Sequence, residues 1–346
     1  MAYTTIDDPS QHFDILTRSG VYDSSGTYDL TGLNFQPDFV WEKVRSVSGD
    51  HYLQNSSLTG KKMLKSNSTA AENTDGNIES YLSNGIQINR QYDWNSSRTL
   101  VDWFWKANGG TTSSNSDGGI TTTVQANTTA GFSIITYEGT FSSTSIGHGL
   151  NSAPEWLIFK NRESTDPWAL WHVGLNFPTD DLIYFNANAA NQHDPSFLNT
   201  APSSSVITLG AYENTNQDNN DLVCYAFHSI KGYSKFGSYT GNGNADGAFV
   251  YTGFKPAWLM WKRTDSGTDW RIFDNKRDDD NVVKGRLFPN TSDAENTSQD
   301  TLDFLSNGFK LRSTNSGGNA SGGTYIYMAF AEHPFVSSKG VPVTAR

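Results

Sequence analysis

LVDWFW (100–105), LVCYAF (222–227) and YIYMAF (325–330) are three versions of one short apolar run in a chain of 346 residues. Each is rich in the β-branched and aromatic residues that fit a pleated surface. In a strand, alternate side chains share a face. Val101, Trp103 and Trp105 therefore line up, as do Val223, Tyr225 and Phe227, and Ile326, Met328 and Phe330. These faces are expected to be core, each large side chain contributing about 1.5–3 kcal/mol on burial.

Working outward, each run closes a longer repeat. The strings GLNFQPDFVWEKVR (32–45), GLNSAPEWLIFKNR (149–162) and TGFKPAWLMWKR (252–263) align on Pro37, Pro154 and Pro256. A lysine follows six residues later (Lys43, Lys160, Lys262) and an aromatic or histidine ring fourteen later (His51, Trp168, Trp270). NSTAAENT (67–74) matches NTSDAENT (290–297), and SNGIQI (83–88) matches SNGFKL (306–311); the middle copy lacks both. The openings FDILTRSG (13–20), FSIITYEG (132–139) and FGSYTGNG (236–243) also correspond. Several motifs recurring in one order define an internal repeat. The boundaries read as a lead (1–12), repeats at 13–107, 132–228 and 236–333, and a tail (334–346). A polar Gly/Thr/Ser-rich linker at 108–131 holds an additional strand in GGITTTVQA and leaves the first repeat freer than the other two.

No window shows helical periodicity over 12 residues. Short apolar segments bounded by Gly, Pro, Asn and Ser read as strands. Asn84-Gly85 and Asn307-Gly308 supply positive φ for hairpins, and each repeated proline starts a strand because it cannot donate within a ladder. The expected fold is all-β: three tandem antiparallel β-sandwich modules, lectin-like or jelly-roll-like, each closing its own interior, with a short helical turn near AENT.

Lys plus Arg is 25 and Asp plus Glu 36, a net charge of −11. Without a basic run, the chain is a poor ligand for nucleic acid. No apolar stretch approaches the roughly 18 residues of a membrane span, so no membrane insertion is expected. The start carries no signal-peptide pattern. A single Cys224 excludes an internal disulfide framework.

No enzyme motif is present: neither G-x-S-x-G nor H-E-x-x-H occurs. The seven histidines do not pair at ligand spacing, and no metal site is read from them. Asp278, Asp279 and Asp280 form an acidic run that reads first as a solvated loop and second as a Ca²⁺ loop. Aromatic rings pack on the C–H faces of sugars, so loop-borne tryptophans are the candidate ligand contacts. Trp168 and Trp171 lie three apart and fall on opposite faces, one core and the other exposed. Trp270 recurs at the position of Trp168, which makes that pair core. Trp171 and Trp94 are left as the exposed binding candidates. The repeated lysines read as charges protecting strand edges.

MAYTTIDDPS, GLNFQPDFVWEK, TAGFSIITYEG, IGHGL, YSKFGSYTGNG, FKPAWLMWKRTD, DFLSNGFKL and GGTYIYMAFAEHPF together resemble a family of repeated β-rich proteins of marine bacteriophages. The resemblance covers nearly the whole chain. It implies a virion structural protein, a tail-fibre or host-recognition component made in the host cytoplasm and released by lysis, with no catalytic residues and no cofactor. Expected partners are other virion proteins and a host-surface glycan or protein, and a homo-oligomer, as a trimer, would add avidity. The alternatives are a capsid decoration or head-fibre protein and a polysaccharide-degrading tail enzyme.

Overall fold

The computed structural model describes residues 3–175, 179–299 and 301–342. The first repeat forms β1 (Phe13–Ser19), β2 (Thr27–Thr31), β3 (Phe39–Val44), β4 (His51–Asn55), β5 (Leu64–Lys65), β6 (Ile78–Leu82), β7 (Gly85–Asn89) and β8 (Thr99–Trp105). The middle stretch forms β9 (Ser113–Asn115), β10 (Thr122–Asn127), β11 (Phe132–Glu138), β12 (Thr144–Gly147), β13 (Trp156–Asn161), β14 (Ala169–His172), β15 (Asp181–Tyr184), β16 (Gln192–His193), β17 (Val206–Leu209) and β18 (Asp221–Phe227). The last forms β19 (Ser234–Thr240), β20 (Phe249–Tyr251), β21 (Phe254–Arg263), β22 (Arg271–Asp274), β23 (Leu302–Leu305), β24 (Gly308–Leu311) and β25 (Thr324–Pro334). The fold is all-β and antiparallel throughout its ladders.

One strand order recurs. The large sheets run β1-β8-β3-β4-β5, β11-β18-β13-β14 (within an eight-stranded sheet) and β19-β25-β21-β22. In each, the closing apolar run is an interior strand between the opening strand and the proline-led one. A small sheet covers one face of each: β2-β7-β6, β12-β17 and β20-β24-β23. Three separate cores lie between large and small sheets.

A fourth core belongs to no single repeat. Val101, Trp103 and Trp105, Val223, Tyr225 and Phe227, and Ile326, Met328 and Phe330 all join one cluster with Trp41, Trp156, Trp168, Trp258 and Trp270. The period-2 face identified from sequence is thus buried against the other repeats, while the opposite face (Leu222, Cys224, Ala226; Tyr325, Tyr327, Ala329) fills the local core. Both faces of the second and third large sheets are apolar for this reason, as expected of a sheet covered on two sides, whereas the first carries Arg18, Glu42 and Asp102 on its local face.

Several expectations are corrected. The stretch 108–131 does not loosen the first repeat. Asp38 accepts from the N–H groups of Ala107, Gly109 and Gly110 at 2.6–2.8 Å, and β9 and β10 extend the middle sheet. Ile6 of the lead enters the shared core. The AENT segments are not helical; helical turns instead precede the closing strands, at Arg90–Tyr92, Glu213–Asn216 and Ser316–Asn319. Gly85 and Gly308 follow two-residue hairpin loops but lack positive φ. They are glycine because a Cβ would strike the Leu30 or Val250 carbonyl oxygen at about 2 Å. Pro256 lies inside β21 at a register shift rather than at its start. With Trp105, Phe227 and Phe330 aligned, Phe13 and Phe132 correspond to Ser234, two residues before the Phe236 that sequence alignment chose.

Candidate functional site

The seams between repeats follow one rule. Lys160 donates to the Thr69 carbonyl of the first repeat (3.1 Å), and Trp168 Nε1 donates to the Lys65 carbonyl (2.9 Å). Lys262 and Trp270 donate to the Asn188 and Tyr184 carbonyls of the second (3.4 and 3.3 Å). Lys43 donates to the Ser292 carbonyl of the third (3.2 Å). His51 takes the ring position there: its Nδ1 accepts from Trp41 Nε1 (2.9 Å), which leaves the hydrogen on Nε2, toward the Phe288 carbonyl. In two seams the accepting carbonyls are four residues apart, and at the other Phe288 stands four residues before the accepting Ser292. The residue midway between them is Asn67, Asn186 or Asn290, whose Oδ1 holds the backbone N–H of its own repeat's ring residue at 2.9 Å. The repeats therefore close cyclically, each leaning on the one before it.

These contacts correct the reading of the lysines. Lys43, Lys160 and Lys262 stand on β3, β13 and β21, which are interior strands, and are buried. Burial pushes each down to about 8, and backbone carbonyls satisfy their hydrogens.

The AENT repeat is explained by the next residues. Glu72 N donates to the Arg162 carbonyl and Glu295 N to the Arg45 carbonyl (2.7 and 2.9 Å). Their carboxylates pair with the same arginines, at 2.9 and 2.7 Å. Glu295 also meets the fully buried Arg277 at 2.6 Å. At the third seam Asn191 N donates to the Thr264 carbonyl (2.9 Å), so the backbone contact persists. Asn191 and Thr264 stand where the other seams carry Glu and Arg, and the ion pair is missing.

A cleft of about 370 Å³ opens at that place. Asn191 comes from one side, with Gly174 and Leu175; Ser238 and Thr240 of β19 and Thr264, Thr324 and Tyr325 come from the other. Ser238 and Thr240 lie on the face of β19 that carries Phe236 into the shared core. The cleft is the outer rim of that core at one seam. Thr264 and Thr324 hydroxyls bond each other at 2.6 Å. Asp265, the one acidic side chain among the described lining residues, is held by both Nε and Nη2 of Arg263 (2.8 and 3.0 Å).

The two tryptophans assigned to ligand binding differ in exposure, and neither is among the cleft's lining residues. Trp171 is buried in the middle repeat's local core. Trp168 and Trp171 do face opposite ways, but both faces of the sheet are covered. Trp94 is half-buried and its ring lies over Gly49, where a Cβ would meet it at 2.8 Å. Asp278 Oδ2 accepts from Lys284 N and Gly285 N, while Asp279 and Asp280 are exposed. Among the described residues no three His, Cys, Asp or Glu side chains are grouped to hold a metal ion. The cleft residues carried no motif of their own; the signal available was the loss of Glu and Arg at one repeat position each.

Fold and seams define a class: an all-β protein of three cyclically packed repeats with a common interior. The chain belongs to the family described as Domain of unknown function (DUF7483), which matches residues 8–334 and so spans all three repeats. No curated protein and no solved structure matches it.

Proposed function

We propose that this chain is a non-catalytic component of a bacteriophage particle, a tail-fibre or host-recognition protein that binds a glycan of the host surface at the cleft between the second and third repeats. The observation that supports this reading is the asymmetry of the ring. Two seams are closed by arginine–glutamate pairs, and the third is open and lined by hydroxyls and an amide. Concave sites of this size with a few polar groups over an apolar floor suit small ligands. The resemblance to marine phage proteins supplies the setting, a virion released by lysis, and other virion proteins as partners. One seam of the described residues is open in this way, so useful adhesion calls for several chains per particle.

Purified protein at saturating concentration is expected to compete with particles for host adsorption; unchanged adsorption would contradict the proposal. Antibody labelling of intact particles should fall on the tail, whereas label on the capsid shell would select a decoration role.

A further inference from the structure

We infer that the cleft selects a neutral glycan, an uncharged mono- or disaccharide terminus, over sialylated, uronic or phosphorylated ones; this rests on the glycan-binding reading above. The reason is the charge state of its wall. Asp265 has both carboxylate oxygens committed to Arg263 and accepts from Thr324 N as well (3.2 Å). Lys262 lies beneath the seam with its hydrogens on the Asn188 and Arg263 carbonyls. Among the described lining residues no cation faces an incoming anion. An anionic sugar would lose hydration without gaining a counter-charge, which is unfavourable.

What the wall does offer matches hydroxyl groups. Ser238 and Thr240 are exposed on a regular edge strand, two residues apart and therefore on one face. Each hydroxyl can donate once and accept twice. Leu175 lies at the base of the cleft, beside the buried Ile326, and gives a small apolar contact for a sugar's C–H face; the Tyr325 ring points to the other side of the sheet, into the third repeat's local core. The other two seams cannot take the same ligand, because Arg45 and Arg162 stand where the cleft has Thr264.

The test is ligand-observed NMR and a glycan array with the full-length protein, using panels of neutral and of sialylated, uronic and phosphorylated glycans. Binding confined to the neutral panel is expected. Thr264→Arg, which places in this seam the residue found in the other two, should weaken neutral binding by about tenfold or more, the scale of one or two lost hydrogen bonds. Ser238→Tyr, at an exposed strand position that tolerates aromatics, should do the same by filling the cleft, with the melting temperature confirming the fold. Equal or stronger binding of charged glycans overturns the selectivity while leaving glycan recognition standing. Neutral binding that survives both substitutions overturns the site. Binding of no glycan at all by the folded wild-type protein overturns both this inference and the function it rests on.

Discussion

At the scale of single residues, the first repeat differs from the others inside its local core. Arg18, Glu42 and Asp102 occupy positions that pair like Tyr137, Phe159 and Cys224 in the second repeat and Tyr239, Trp261 and Tyr327 in the third. Arg18 meets Glu42, Asp93 and Asp102 at 2.5, 2.7 and 2.9 Å, and all four are almost wholly removed from water. One cation faces three carboxylates, and Glu42 also accepts from Asn77 Nδ2 (2.8 Å). Desolvation outweighs the pull of Arg18 and pushes Glu42 up to about 8 from its usual 4.5; Asp102 is raised too. The folded state therefore holds a proton that the unfolded chain releases above about pH 4.5. Stability is fully present below that pH and is lost as pH rises toward 8. Buried histidines held below their usual range, His51 and His172 among them, act in the opposite sense, so the Glu42 contribution is a loss of denaturant midpoint with rising pH that is measured against a variant lacking this titration. Glu42→Gln, which mimics the protonated acid, should flatten this dependence and be the more stable protein at pH 9. A second residue-scale case is Trp168→Phe, which leaves the Lys65 carbonyl without its donor and a small void. It should cost about 1–3 kcal/mol in urea unfolding.

At the scale of elements, the repeated lysine and ring hold β3, β13 and β21 to the loop of the neighbouring repeat, and the arginine–glutamate pairs reinforce two of these junctions. Glu295 is shared between Arg45 and Arg277, and Arg277 has no exposure, whereas Glu72 binds Arg162 and the partly exposed Lys62. Removing one partner of a buried pair leaves the other charged and desolvated. Glu295→Ala should therefore destabilise by about 3 kcal/mol and Glu72→Ala by distinctly less, as read from melting curves of the two variants. Equal losses would show that the Arg277 cluster adds nothing to the junction between the first and third repeats.

At the scale of the whole molecule, the shared core makes the repeats interdependent. Removing the third repeat would expose Trp41, Trp103 and Trp105, which pack on Trp258. Calorimetry of the intact chain should give one cooperative transition. A fragment of residues 1–230 should bind a hydrophobic dye and lack a sharp melt. An independent melt of the first repeat would count against the common interior.

The all-β character and the apolar face of each closing run were legible from sequence, because a two-residue period is a local property. Opposite facing of Trp168 and Trp171 followed from the same period. Whether a face meets solvent, its own small sheet or another repeat is not local, so Trp171 read as exposed although it is buried. The lysines and AENT glutamates were visible as repeats, but their purpose depends on carbonyls and arginines of the adjoining repeat. The cleft depended on the loss of two of those residues at one seam. Sequence alone thus determined what each repeat is made of. Only the closure of the three upon one another decided which surfaces became interior and which seam stayed open, since burial is a property of the assembled chain.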